Sequence, residues 1–66
     1  MYRELMAELT RGGETLKSIA PKIGRTPSYM WRCTGGDRDF TIPDGYKILD
    51  CLGLPHSEFT RVFPRG

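Results

Sequence analysis

Residues 15–34 read Thr15-Leu-Lys-Ser-Ile-Ala-Pro-Lys-Ile-Gly-Arg-Thr-Pro-Ser-Tyr-Met-Trp-Arg-Cys-Thr34. Ile19 and Ile23 are four apart, with Ala20 beside them, so the three share one side of a helix. Met30 and Cys33, three apart, define an inward side on a second helix, and Gly24 separates the two patterns. Thr26 can cap the second helix by accepting from a free amide of its first turn, and Pro27 at the first helical position gives up no needed donor. The stretch therefore predicts two short helices joined by a glycine turn, a helix-turn-helix signature.

Upstream of that pair, residues 1–10 predict a first helix with Tyr2, Leu5, Met6 and Leu9 inward and Arg3, Glu4 and Glu8 outward. Arg11-Gly12-Gly13 ends it, and Thr15 caps the next. Pro21 removes one backbone hydrogen bond and crowds the preceding turn, at a cost of about 3 kcal/mol in a regular helix interior. The second helix is therefore either bent or short, and the sequence leaves both open. The third helix runs from Pro27 to Cys33 or Thr34 and stops at Gly35-Gly36, with Pro27, Ser28, Trp31 and Arg32 outward.

Residues 35–40 read as a polar connector. Its Asp37-Arg38-Asp39 run lacks the further oxygen ligands of a calcium loop. Thr41 followed by Ile42-Pro43-Asp44 opens a fourth helix, with an acid near its positive end. That helix reaches Leu52, uses Tyr46, Ile48, Leu49 and Leu52 as its apolar side, and is closed by Gly53. Gly45 within it implies close packing or a weak first turn. A fifth short helix, from Pro55 or Ser57 to Phe63, brings Phe59, Val62 and Phe63 together, and residues 64–66 are expected to fray. The expected architecture is all-α, a compact five-helix single domain over residues 1–66.

A chain of 66 residues buries only roughly 60% of its unfolded surface, which leaves little stability in reserve. Cys33, Cys51 and the single His56 have neither zinc spacing nor a Cys-x-x-Cys arrangement, so no metal or other cofactor is expected. No apolar run approaches the roughly 20 residues that span a bilayer, and no signal pattern opens the chain. A cytoplasmic protein with reduced thiols, and no membrane partner, is expected.

Net charge is only +2, but it is unevenly spread. Between residues 11 and 32, Arg11, Lys17, Lys22, Arg25 and Arg32 face a single acid, Glu14. Residues 37–66 carry four cations against five acids, so positive charge gathers on the helix pair, where it would attract phosphates.

The spacing of Ile19, Ala20, Ile23, Gly24, Met30 and Cys33 resembles the lambda-repressor and Cro-like helix-turn-helix DNA-binding proteins, also called the xenobiotic-response-element type. Thr34-Gly35-Gly36 falls where that family ends its recognition helix, and residues 46–54 are similar to its fourth helix and the following turn. Pro21, Arg25 and Thr34 depart from the family pattern. The resemblance implies a small residue at Ala20 for close helix packing, a left-handed glycine at Gly24, and a third helix whose outward side meets DNA.

On that reading Arg32 is the leading base reader, because its planar fork matches the two acceptors of guanine. Ser28, one turn earlier, reaches a base edge or a phosphate, and Pro27 offers apolar contact. Trp31 packs its indole on the scaffold, donates to a phosphate, or covers a thymine methyl, with partial burial favoured. Lys17 is similar to the family's backbone-contacting position. Lys22, Arg25, Tyr29 and Arg38 are further backbone candidates, with Tyr29 divided between packing and a phosphate, and Thr26 mainly a cap.

The function expected is a DNA-binding transcriptional regulator, a phage or mobile-element repressor that reads an inverted-repeat operator in double-stranded DNA as a homodimer. Leu54, Phe59, Val62 and Phe63 are the expected dimer interface. No small-molecule ligand is expected, and no recognisable base, phosphate loop or carboxylate motif supports an enzyme. The alternative is a protein-interaction module with the same helices, such as an antitoxin-like or anti-repressor partner.

Overall fold

Three threonines place three of the helices, each by the same local bond. In a computed structural model that describes residues 2–64, Thr15 Oγ1 accepts from Ser18 N at 3.0 Å, Thr26 Oγ1 from Tyr29 N at 3.2 Å, and Thr41 Oγ1 from Asp44 N at 3.2 Å. Each satisfies one of the amides that a helix start leaves without a partner. Ser18 Oγ returns the bond by accepting from Thr15 N at 2.8 Å, which completes a capping box. The elements are α1 (Arg3–Arg11), α2 (Leu16–Ile19), α3 (Pro27–Thr34), α4 (Ile42–Leu52) and α5 (Phe59–Val62). Single 3-10 turns at Pro21–Ile23 and His56–Glu58 precede α3 and α5, and no strand occurs among the described residues. Arg65 and Gly66, two of the three positions expected to fray, lie outside the described residues, as does Met1.

The question that Pro21 leaves open is answered by a short helix. α2 ends at Ile19, and Pro21 opens the 3-10 turn, so its missing N–H falls at a junction rather than inside a helix. Arg25 N then reaches back to Ala20 O at 2.9 Å. Gly24 makes that return with φ 76°, a left-handed conformation that costs glycine little. α2 thereby lies against α3, with Ile19, Ala20 and Ile23 buried beside Met30 and Cys33.

Around that pair the core takes Leu5 and Leu9 from α1, Ile48 and Leu49 from α4, and Val62 from α5. Four aromatic rings from distant parts of the chain close one end of it. Phe40 stands 5.3 Å from Tyr2, 5.3 Å from Phe63 and 6.3 Å from Tyr29, all edge-on between ring centroids. Such edge-to-face pairs add about 0.5–1.5 kcal/mol beyond the area that they bury. The loop of residues 35–40 is thus pinned at its end by a core residue, although its other positions are polar.

Two expectations are corrected. Met6 is 43% exposed and Glu8 only 4%, so α1 turns Leu5, Glu8 and Leu9 inward rather than Leu5, Met6 and Leu9. The cause is Arg61, whose Nη2 donates to Glu8 Oε2 at 2.8 Å while Arg11 Nη1 donates to both Glu8 oxygens at 3.0 Å. A carboxylate so served can be buried, and it ties α1 to α5. Val62 and Phe63, expected at a dimer interface, belong to the chain's own core, and Leu54 and Phe59 are half-buried against it. Their partners within the chain, Tyr2 and Phe40 among them, use the apolar area that was assigned to a second copy.

Gly45 is where α4 meets the Phe59 ring, and a Cβ there would be driven into that ring. Phe59 is itself stacked 4.6 Å from Tyr46 and 5.3 Å from Phe63, so the ring has neighbours on the sides to which it would retreat. Gly45→Ala should therefore lose about 1–3 kcal/mol to overpacking. This outweighs the roughly 1 kcal/mol by which alanine favours a helix. Urea unfolding measures it, and a higher midpoint for the alanine variant would contradict the contact.

No helix among the described residues is long and apolar enough to cross a membrane.

Candidate functional site

Beside the start of α3 the surface is indented by an open groove of about 340 Å³, lined by Gly24, Arg25, Thr26, Ser28, Tyr29, Arg32 and Arg38. One buried acid outside that lining holds two of its residues, Arg25 and Tyr29. Asp44, 2% exposed at the first turn of α4, receives the Tyr29 hydroxyl on Oδ2 at 2.8 Å, and the same oxygen takes Arg25 Nε and Nη2 at 3.0 Å each. One carboxylate oxygen thus joins the turn before α3, α3 itself and α4.

The protonation states follow from that arrangement. Burial pushes the Tyr29 phenol up to about 12, with its bond to Asp44 acting in the same direction, so it stays a neutral donor. Burial alone would raise Asp44, but the hydrogen bonds from Tyr29 and Arg25 outweigh it and hold the carboxyl below its ordinary value. The Arg25 guanidinium is in turn raised by its bond to Asp44. At neutral pH a charged, buried carboxylate holds a neutral phenol and a guanidinium that both line the groove.

The walls are cationic and short of anions. The guanidinium carbons of Arg25 and Arg38 lie 4.6 Å and 4.8 Å from the Tyr29 ring centroid, within cation–π range. Asp44 neutralises Arg25, whereas among the described residues no carboxylate forms an ion pair with Arg32 or Arg38. Of the three arginines that line the groove, Arg25 alone has a carboxylate ion pair among the described residues, and the guanidinium charges of Arg32 and Arg38 are unmatched there.

Six of the expected site residues, Arg25, Thr26, Ser28, Tyr29, Arg32 and Arg38, come together here. Arg25 and Tyr29 are held to Asp44, and Thr26 Oγ1 is taken up as a cap. Four others lie outside the groove. Lys17 is exposed on α2, Pro27 is half-buried, and Trp31 is 56% exposed where partial burial was favoured. Lys22 donates to Glu14 at 2.6 Å, a bond that raises the lysine and lowers the acid. Its charge is thus largely matched at the surface.

Asp44 is the site residue that the sequence reading missed. It was seen as a helix-start acid, the usual role for a carboxylate three residues after a capping threonine. No local spacing pointed to it, because Arg25 is exposed and its bond to Asp44 spans 19 positions of the chain. Comparison with protein-family models, curated proteins and solved structures returns no match for this chain.

Proposed function

We propose that the chain is a sequence-specific DNA-binding regulator of the helix-turn-helix type, which lays α3 in the major groove and holds the flanking phosphates from the surrounding groove. The observation that carries this reading is the charge along and just after α3, where Arg32 and Arg38 have no carboxylate ion-pair partner among the described residues, beside an Arg25 held by Asp44. Phosphates would balance it. In this reading Arg32 and Ser28 face base edges, Arg25, Arg38 and Lys17 hold the backbone, and Tyr29 and Asp44 keep Arg25 in place.

α3 has eight residues, a length of about 12 Å. That covers only a few base pairs, so two copies on an inverted repeat supply an operator-sized site. With Val62 and Phe63 used inside the chain, the copies meet on DNA rather than beforehand. The regulator is a repressor of a phage or another mobile element, the setting that the lambda-repressor and Cro-like resemblance implies. A protein-interaction module is the second reading, favoured by the exposed Trp31 ring.

Selection of bound sequences from random DNA, followed by affinity measurements over a salt series, separates the two. Each phosphate neutralised contributes a slope of about −0.9 to log affinity against log salt, so Lys17 and Arg38 in two copies give roughly −4, Arg25 being already paired with Asp44. Light scattering should show one copy alone in solution and two on the operator. A slope near zero, with no enriched sequence, would replace DNA by a protein partner.

A further inference from the structure

The outward side of α3 carries two parallel strips. Ser28 and Arg32, four residues apart, line the arginine groove, whereas Pro27 and Trp31, also four apart, lie outside it. One strip is polar and beside the excess charge; the other ends in an indole that is 56% exposed, the most exposed large apolar side chain among the described residues. Resting on the DNA-binding reading above, the geometry points to Trp31 as a second specificity residue, which reads the C5-methyl group of a thymine next to the base pair that Arg32 contacts.

The apolar area at this place is small. A stable protein interface takes about 800 Å² from each partner. A whole tryptophan offers at most about 250 Å², and half-buried Pro27 adds little. What fits so small an apolar strip is a small apolar group, and charge complementarity names the molecule that bears it. The neighbouring groove has two arginines without a carboxylate ion pair among the described residues, so the occupant is an anion with an apolar group within one helix width of its charges. In the major groove of DNA the thymine methyl is the one exposed apolar group, and it lies between phosphate-bearing backbones. Arg32, adjacent in sequence, brings its fork to a neighbouring base, so polar and apolar strips together read two base pairs.

The test uses the full chain and the operator selected by the wild-type protein. Each thymine is replaced in turn by deoxyuridine, which removes only the methyl group. One such replacement per half-site should weaken wild-type binding about fourfold, the factor that burial of one methyl-sized group supplies. Trp31→Ala should bind the thymine and uracil operators equally. Trp31 is the single tryptophan of the chain, so its fluorescence gives an independent reading and should differ between the two complexes. If every uracil operator bound wild type as tightly as the parent, or if Trp31→Ala kept the same preference, the assignment would be overturned with DNA binding intact. If no operator could be selected at all, the DNA-binding reading itself would have failed.

Discussion

Asp44→Ala should remove roughly 2–3 kcal/mol of stability and weaken DNA binding with it. Truncation leaves the buried Tyr29 hydroxyl without its acceptor, which costs about 1–3 kcal/mol. It also removes an acid from the first turn of α4, worth about 0.3–1 kcal/mol against the helix dipole. A chain of 66 residues has only roughly 3–10 kcal/mol in total, so the loss is a large share. Asp44→Asn isolates the charge, because the amide oxygen can still accept from Tyr29. The carboxyl is held below its ordinary value of 3.8, so its ionic contribution is complete above that pH and is lost as pH falls through the lower native value. The stability gap between wild type and Asp44→Asn should therefore be widest near neutrality and close in strong acid. Urea unfolding at a series of pH values measures it, and a gap that did not change with pH would show that the charge of Asp44 contributes nothing.

Arg32→Ala should have the largest effect on recognition, a loss of about 1–3 kcal/mol on the selected operator with relaxed preference at one base position. Arg32 is exposed in the groove beside Ser28 and has no ion-pair partner among the described residues, so its removal disturbs binding rather than packing. Lys17→Ala should weaken all sequences alike and reduce the salt slope by about 1 for each phosphate no longer neutralised, because a phosphate carries no base identity. Titrations on the operator, its single-base variants and unrelated DNA separate the two patterns. If Lys17→Ala altered base preference and Arg32→Ala did not, the roles assigned to α2 and α3 would have to be exchanged.

The features legible in the sequence are those made by neighbours in the chain. Thr15, Thr26 and Thr41 each cap with an amide three residues ahead, so helix starts could be read directly, and Gly24 and Gly53 mark left-handed stops. Met30 and Cys33 point inward on the same local logic. What escaped depends on remote partners. Glu8 was placed outside because Arg61, which makes its burial tolerable, lies 53 positions away. Phe40 was lost in a polar loop because its ring neighbours are Tyr2, Tyr29 and Phe63. At the site, the arginines were identifiable as charge on a basic segment, but their gathering into one groove required Arg38 to return across the Tyr29 ring and Asp44 to stand beneath Arg25.

The ring cluster of Tyr2, Tyr29, Phe40 and Phe63 also limits what can be transplanted. Residues 15–34 contain both caps, the left-handed glycine and Arg25, Ser28, Trp31 and Arg32. Yet α3 takes its footing from Phe40 through Tyr29, and Phe40 takes its own from residues 2 and 63. A chimera that inserted residues 15–34 into a foreign helical scaffold would carry the letters of the proposed reading surface without the rings and the acid that hold α3 in place. If the proposed DNA-binding function holds, changes of specificity are therefore better sought by exchanging single outward side chains at positions 28, 31 and 32 than by moving the segment as a cassette.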